Sequence, residues 1–181
     1  MASAIGHAVA AVALGFGFSK TQKHWKFWTL GILCAIFPDA DVIGFQFDVA
    51  YDSFWGHRGF SHSLLFAAMF GVFITALFYR RSFLSKKGLG LMFYFFLCTA
   101  SHAVLDAMTT GGLGVAFFSP WDDARFFLPW RPIQVSPIGI DNFFGEWGIR
   151  VLLSEAVWIG IPSACYLLFV YIIRKVTSHK T

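Results

Sequence analysis

The sequence predicts an all-α integral membrane bundle of about five transmembrane helices, folded as one domain over residues 1–181. Three observations carry this reading. Hydrophobic residues make up 57% of the chain and charged residues only 13%, about half the charged share of a soluble domain, with a mean hydropathy of +0.64. Apolar runs of near-spanning length recur along the whole chain. Basic residues are segregated from acidic ones in the segments between those runs. A water-soluble surface cannot be built from such a composition, and low hydrophobicity, the mark of disorder, is absent. Cys34, Cys98 and Cys165 are widely spaced within apolar runs, so they read as free buried thiols and not as a disulfide framework or a zinc pair.

The first run covers residues 2–19. No Lys or Arg precedes it, so it lacks the charged start of a cleavable leader and is expected to remain as a helix. The second covers 25–37 and extends toward Phe47, with Pro38 interrupting it early. The third, fourth and fifth cover 63–79, 89–107 and 149–173. Residues 108–148 form the longest non-spanning segment, rich in Gly, Pro, Phe and Trp. Trp121, Trp130 and Trp147 suit the headgroup level, and the segment reads either as an aromatic anchor or as a flap over a substrate.

Charge sets the orientation. Lys20, Lys23, Lys26, Arg80, Arg81, Lys86, Lys87, Arg174, Lys175 and Lys180, ten of the fourteen basic residues, fall on one side, which is expected to be cytoplasmic. The other side holds Arg58, Arg125, Arg131 and Arg150 with every acid in the chain: Asp39, Asp41, Asp48, Asp52, Asp106, Asp122, Asp123, Asp141, Glu146 and Glu155. The N-terminus is therefore outside and the C-terminus inside. The basic rim faces anionic lipid headgroups, and no continuous basic stripe suggests nucleic acid.

Seven residues with ligand chemistry share the outer layer: His7, Asp39, Asp41, His57, His62, His102 and Asp106. Four helix ends far apart in sequence can thus deliver imidazoles and carboxylates to one place. His102 and Asp106, four apart, share a helix face, where they form either a ligand pair or an ordinary intrahelical pair. Asp39 and Asp41, in PDAD, follow the proline that ends the second helix; carboxylates so near hydrocarbon are costly unless paired, hydrated or metal-bound. In HRGFSHS, residues 57–63, Ser61 is a candidate N-cap, Gly59 permits close backbone approach to a bound group, and Arg58 could fork onto phosphate oxygens.

Neutral histidine with ionised carboxylate suits zinc or manganese and phosphoester hydrolysis. One or two divalent ions are expected; three aspartates against two ions leave about one positive charge, which favours an anionic substrate. Arg58, Asp41 and Glu155 are the catalytic candidates beside the ions. Glu155 lies within the fifth run as a ligand, a partner to a histidine, or a structural acceptor. Arg131, Asp141 and Glu146 could contribute from the outer segment or be solvated, and His24 and His179 receive no role. The expected partners are membrane lipids and a phosphorylated or lipid substrate. A metal-ion or small-solute transporter or channel, and a noncatalytic protein with a structural ion, stay open as alternatives. Against transport, the acids stop at the outer half of the membrane.

The succession His7, PDAD, HRGFSHS and HAVLD at residues 102–106 resembles the YdjM/YbcI family of inner-membrane metal-dependent hydrolases along nearly the whole chain. That resemblance implies a multi-pass protein of the bacterial inner membrane. The same order is more distantly similar to zinc-dependent phospholipase C and the single-strand nucleases, whose metals are held by His, Asp, His, then HxxxD. Those enzymes continue with a further His and an HxxxE pair, whereas this chain has no histidine between His102 and His179. The likeness favours phosphoester over peptide bonds.

Overall fold

A computed structural model describes residues 1–18, 24–139 and 143–178; Ser19, Lys20, Lys23, Asp141, His179 and Lys180 lie outside the described residues. Among the described residues every regular element is helical, and the only extended pairings are two isolated bridges. The helices are α1 (Ala4–Phe18), α2 (Trp25–Ile36), α3 (Leu64–Phe78), α4 (Lys86–Ala107), α5 (Glu146–Glu155) and α6 (Ile161–Ser178). A π-helical turn, Ala156–Gly160, joins α5 to α6 without a break. Among the described residues three helical runs are long and apolar enough to cross a membrane: Trp25–Phe47, Lys86–Ala107 and Glu146–Ser178. α1 and α3 are apolar but only 15 residues each, about 22 Å of helix.

The α-helix ends beside Pro38 and the second run still reaches Phe47, both as the sequence leads one to expect. The α-helical ladder ends at Ile36, and the chain continues as a 3-10 helix over Phe37–Phe47 with Pro38 in its first turn, where its missing N–H leaves no bond unmade. Asp39 and Asp41 thus sit on an ordered helix. The N-cap of α3 is Ser63, whose hydroxyl accepts from Phe66 N; Ser61, the candidate read from the sequence, is committed elsewhere. Ser85 caps α4 in the same way through Gly88 N.

α4 is the central helix, packed against α1, α2 and α3. Their shared core includes Phe27, Leu30, Cys34, Ile74, Leu91, Tyr94, Phe95 and Cys98, with Phe27 stacked on Tyr94 at 4.2 Å. Gly15 and Gly31 make this approach possible: a Cβ at Gly15 would stand 2.6 Å from the Trp28 ring, and one at Gly31 would overlap Tyr94 Oη. Cys34 and Cys98 are buried and free, while Cys165 is free but exposed, because α6 buries none of its own residues.

Among the described residues the helices put the candidate ligands at one end. The starts of α1 and α3 and the ends of α2 and α4 meet there; Lys26, Arg80, Arg81, Lys86, Lys87, Arg174 and Lys175 lie on helix ends of the other side. Lys26 Nζ donates to Phe78 O at 2.9 Å and Arg174 donates to Phe16 O, which ties that basic end together. The segment after α4 folds back over the site end. Leu128 N donates to Ala107 O, Leu64 N to Phe117 O and Ala116 N to Arg58 O, and Val115, Ala116 and Ile133 are buried. Trp121, Trp130 and Trp147 remain exposed, the placement an interfacial aromatic belt requires.

Candidate metal centre

Four buried side chains converge beneath that cap. Asp39 comes from the 3-10 helix, His62 from the short turn Phe60–His62 before α3, and His102 and Asp106 from successive turns of α4. One ligand atom from each lies within 4.8 Å of the others. His62 Nε2 is 2.9 Å from His102 Nε2, 3.7 Å from Asp106 Oδ2 and 3.8 Å from Asp39 Oδ1; His102 Nε2 is 3.3 Å from Asp39 Oδ1 and 4.0 Å from Asp106 Oδ2. A tetrahedral ion with bonds of about 2.0–2.2 Å has edges of about 3.3–3.6 Å, so the four atoms fit around one ion with small adjustments.

The tautomers sharpen this fit. His102 Nδ1 is 2.7 Å from the carbonyl of Ala35, which can only accept, so Nδ1 carries the hydrogen and Nε2 a lone pair. Ser61 Oγ donates to Asp41 Oδ2 at 2.7 Å and accepts from His62 Nδ1 at 3.0 Å, while Asp41 Oδ2 lies 3.2 Å from the same nitrogen. His62 is thereby held with Nδ1 protonated and Nε2 facing inward. Two imidazole lone pairs cannot face each other at 2.9 Å unless a cation stands between them. Burial works against a charged His62, yet the carboxylates of Asp106, Asp39 and Asp41 around it outweigh that and raise its pKa to about 10. Asp39 is the other sign: both its carboxylate oxygens are buried and neither has a hydrogen-bond partner among the described residues.

Asp41 and His57 stand behind this group. His57 Nδ1 is 2.7 Å from Asp41 Oδ1, and Arg58 N donates to Asp41 Oδ2 at 3.2 Å. Asp41, His57 and His62 form a second set of potential ligands, but the oxygens of Asp41 already accept from His57, Arg58, Ser61 and His62, so Asp41 orients the His62 ring. Carboxylates behind ligating histidines typically govern metal affinity by about 10–100-fold. Asp41→Asn is expected to weaken metal binding by about that factor with the fold retained, read by competition with a fluorescent chelator; unchanged affinity would show that Asp41 does not orient His62.

His7 stacks on His102 with ring centroids 3.8 Å apart, its Nε2 is 3.5 Å from Asp106 Oδ1, and both its ring nitrogens are buried without a hydrogen-bond partner among the described residues. It adjoins the four-residue group without belonging to it. His57 Nε2 is likewise buried and unpartnered.

Arg58 turns inward, not out to a phosphate. It is fully buried, with Nε donating to Asp106 Oδ2 at 3.1 Å, one terminal nitrogen to Gly111 O and Leu113 O, and the other to Thr109 Oγ1. Four of its five N–H groups are spent on protein acceptors. Its φ of 65° is a left-handed conformation that costs a non-glycine residue about 1–3 kcal/mol, held here by bonds at both backbone groups and along the side chain. Gly59 approaches its own loop, since a Cβ there would overlap the carbonyl of Phe54; it does not open onto a ligand.

Glu155 stands outside both ligand sets. It accepts from Ser3 N and Ser3 Oγ, each at 2.5 Å, while Ala2 N donates to Asp106 Oδ1 at 2.7 Å. Of the three sequence readings, the geometry matches the structural acceptor. Arg131 stacks on Phe127, and Glu146 pairs with Arg150 on the exposed start of α5. Sequence reasoning missed Ala35, Thr109, Ser3 and the bridging role of Ser61. A backbone carbonyl leaves no trace in a sequence, whereas Ser61, between two histidines, reads as a cap in the sequence and serves as a bridge between Asp41 and His62 in the structure.

The sequence profile described as "YdjM inner membrane protein" matches residues 1–177. The chain belongs to that family. It is also 37% identical over 162 residues to "Inner membrane protein YbcI" of Escherichia coli (strain K12), covering 90% of this chain and 92% of the relative. No solved structure matches. This family member is therefore an inner membrane protein, in agreement with its apolar helices.

Proposed function

We propose that the protein is a metal-dependent phosphoester hydrolase with one divalent ion, zinc or manganese, held by Asp39, His62, His102 and Asp106 at the periplasmic end of the bundle. The observation that carries this reading is the pair of inward-facing Nε2 atoms 2.9 Å apart, each with its Nδ1 committed to an acceptor. Charge supports one ion over two. Asp39, Asp41 and Asp106 against the buried Arg58 guanidinium leave two negative charges, which one divalent ion neutralises; the two-ion balance read from the sequence left Arg58 out.

When bound, such an ion supplies Lewis acidity and a neutralising charge for hydrolysis. The protein's own groups do the rest. Asp41 and Ala35 O fix the two imidazoles, Arg58 fixes Asp106 and is a positioning residue, and Ser3, anchored by Glu155, leads into the Ala2 N–H on Asp106. His7, with free ring nitrogens beside Asp106, is the group placed to hold a proton at Nε2. The segregated basic end supports the cytoplasmic C-terminus; reporter fusions near Lys86 inside and near Asp122 outside are expected, and the reverse would overturn the orientation.

Four protein ligands, all buried, also fit a second reading in which the ion clamps the helix ends without catalysis, since a structural site differs by lacking an open position. Turnover separates the two. Metal-loaded protein is expected to hydrolyse aryl phosphates or phospholipids, and chelation to abolish that activity; a fully loaded protein with no turnover on either class would establish the clamp.

A further inference from the structure

The site end of the molecule exposes large aromatic side chains from two segments that one arginine ties together. Phe47 closes the 3-10 helix and Trp55 stands in the loop after it, while Phe118, Trp121 and Trp130 belong to the segment folded over the site. Trp121 is 78% exposed, Phe47 76% and Trp55 67%. Single exposed rings scattered over a surface are ordinary, but five gathered at one end mark a surface that meets something apolar. Arg125 Nη1 donates to His57 O at 2.7 Å, and its Nη2 donates to Tyr51 O and Ser53 O at 3.0 and 3.1 Å, so the loop and the covering segment form one piece. Phe118 packs edge-on against Phe126 within that segment, with ring centroids 5.7 Å apart.

The helix lengths say what meets that surface. Lys86 and Arg174 mark the basic end, and the hydrocarbon of a bilayer is about 30 Å thick. His102 lies about 24 Å along α4 from Lys86, and Glu155, bonded to Ser3, lies about 28 Å from Arg174 along the continuous helix of α5 and α6. α1 and α3 begin at the site end and measure only about 22 Å. The ion group is therefore at or below the outer hydrocarbon boundary, and tilt, which shortens every projection, only lowers it. The headgroup layer, about 5–8 Å deep on each side, then falls on the covering segment. The acids of this end suit that layer. Asp48, Asp52, Asp122 and Asp123 are exposed, with Asp122 Oδ1 accepting from Ala124 N at 2.8 Å and Asp123 Oδ1 from Ser119 Oγ at 2.7 Å. A second copy fits the surface poorly, because a two-fold contact through it would bring the same four acids of both chains together.

We propose that this end of the protein is docked into the outer leaflet of its own membrane: Phe47, Trp55, Phe118, Trp121 and Trp130 sink among the phospholipid headgroups, and the covering segment is a collar immersed in lipid, not a lid standing in water. The docking stands apart from the hydrolase reading, since it needs neither an ion nor turnover. The test is nitroxide depth measurement in phosphatidylethanolamine and phosphatidylglycerol vesicles. Phe47→Cys, Trp55→Cys, Phe118→Cys and Trp130→Cys are made singly at exposed positions in a Cys165→Ser chain, Cys34 and Cys98 being buried. Collisions of each label with oxygen, which concentrates in lipid, are compared with collisions with a nickel chelate, which stays in water. The oxygen-to-nickel ratio is expected to exceed that of a free nitroxide in buffer severalfold at all four positions and to approach that of Phe73→Cys on the exposed face of α3. Ratios equal to the free label would overturn the proposal, as would spin–spin broadening between chains, which would put a second copy on this face. Unlabelled wild type gives an independent reading, because Trp55, Trp121, Trp130 and Trp147 are four of its seven tryptophans. Phospholipid brominated near the carbonyl end of its chains is expected to quench most of the emission and iodide in the buffer only a minor part; dominant quenching by iodide would refute the docking.

Discussion

The His102→Ala protein is expected to fold and to come off purification without its divalent ion. The imidazole is one of the four groups proposed to hold the ion, and its removal leaves Asp39 Oδ1, 3.3 Å from the lost nitrogen, facing a cavity. Loss of a direct ligand should exceed the effect of losing a partner behind one, so affinity is expected to fall by more than about 100-fold. Stability falls less, because the truncation removes the hydrogen bond to Ala35 O, worth about 1 kcal/mol, and leaves a small void beside His7. His24→Ala, at the opposite end of the bundle where His24 caps α2, is the matched control and should keep full occupancy. Elemental analysis after exhaustive dialysis decides it, and a His102→Ala protein with wild-type metal content would remove His102 from the ligand set.

Arg58→Ala has a different expected signature, a large loss of stability. The guanidinium is fully buried, pairs with Asp106 and satisfies Thr109 and two backbone carbonyls. Removing one member of a buried charge pair typically costs about 3–5 kcal/mol, because the partner stays behind in a dry site. Arg58→Lys should not restore it: an ammonium is a single point donor and cannot reach Asp106, Thr109 and the Gly111 and Leu113 carbonyls from one position. The measurement is denaturant or thermal unfolding in detergent. Were Arg58 instead a contact for substrate phosphate, Arg58→Ala would unfold like wild type and show only a raised KM.

These two residues illustrate what the sequence could convey. His102 and Asp106 are legible as residues of one helix face because HAVLD has helical spacing, and Asp39 and His62, which the fold brings to them, are legible as residues that share one membrane side. The direction of Arg58 was not legible. Its acceptors at Thr109, Gly111 and Leu113 come from a segment with no periodicity, and only folding that segment over the site turns the guanidinium inward. The apolar runs were read correctly as helices because hydropathy reports the lipid-facing surface directly. Hydropathy is blind to backbone geometry, so it could not register the 3-10 continuation past Pro38 or the π-helical turn after Glu155. Cap choice failed for a related reason: Ser61 and Ser63 are chemically alike, and Asp41, twenty residues upstream of Ser61, decides which of them is free to cap α3.

The most direct measurement of the central claim is X-ray absorption at the metal edge of wild-type protein purified without added chelator. One ion per chain with two imidazole nitrogens and carboxylate oxygens at about 2.0–2.2 Å is the expected result. An ion bound only by oxygen ligands, or a folded protein that takes up no zinc or manganese, would contradict a centre built from His62, His102, Asp39 and Asp106.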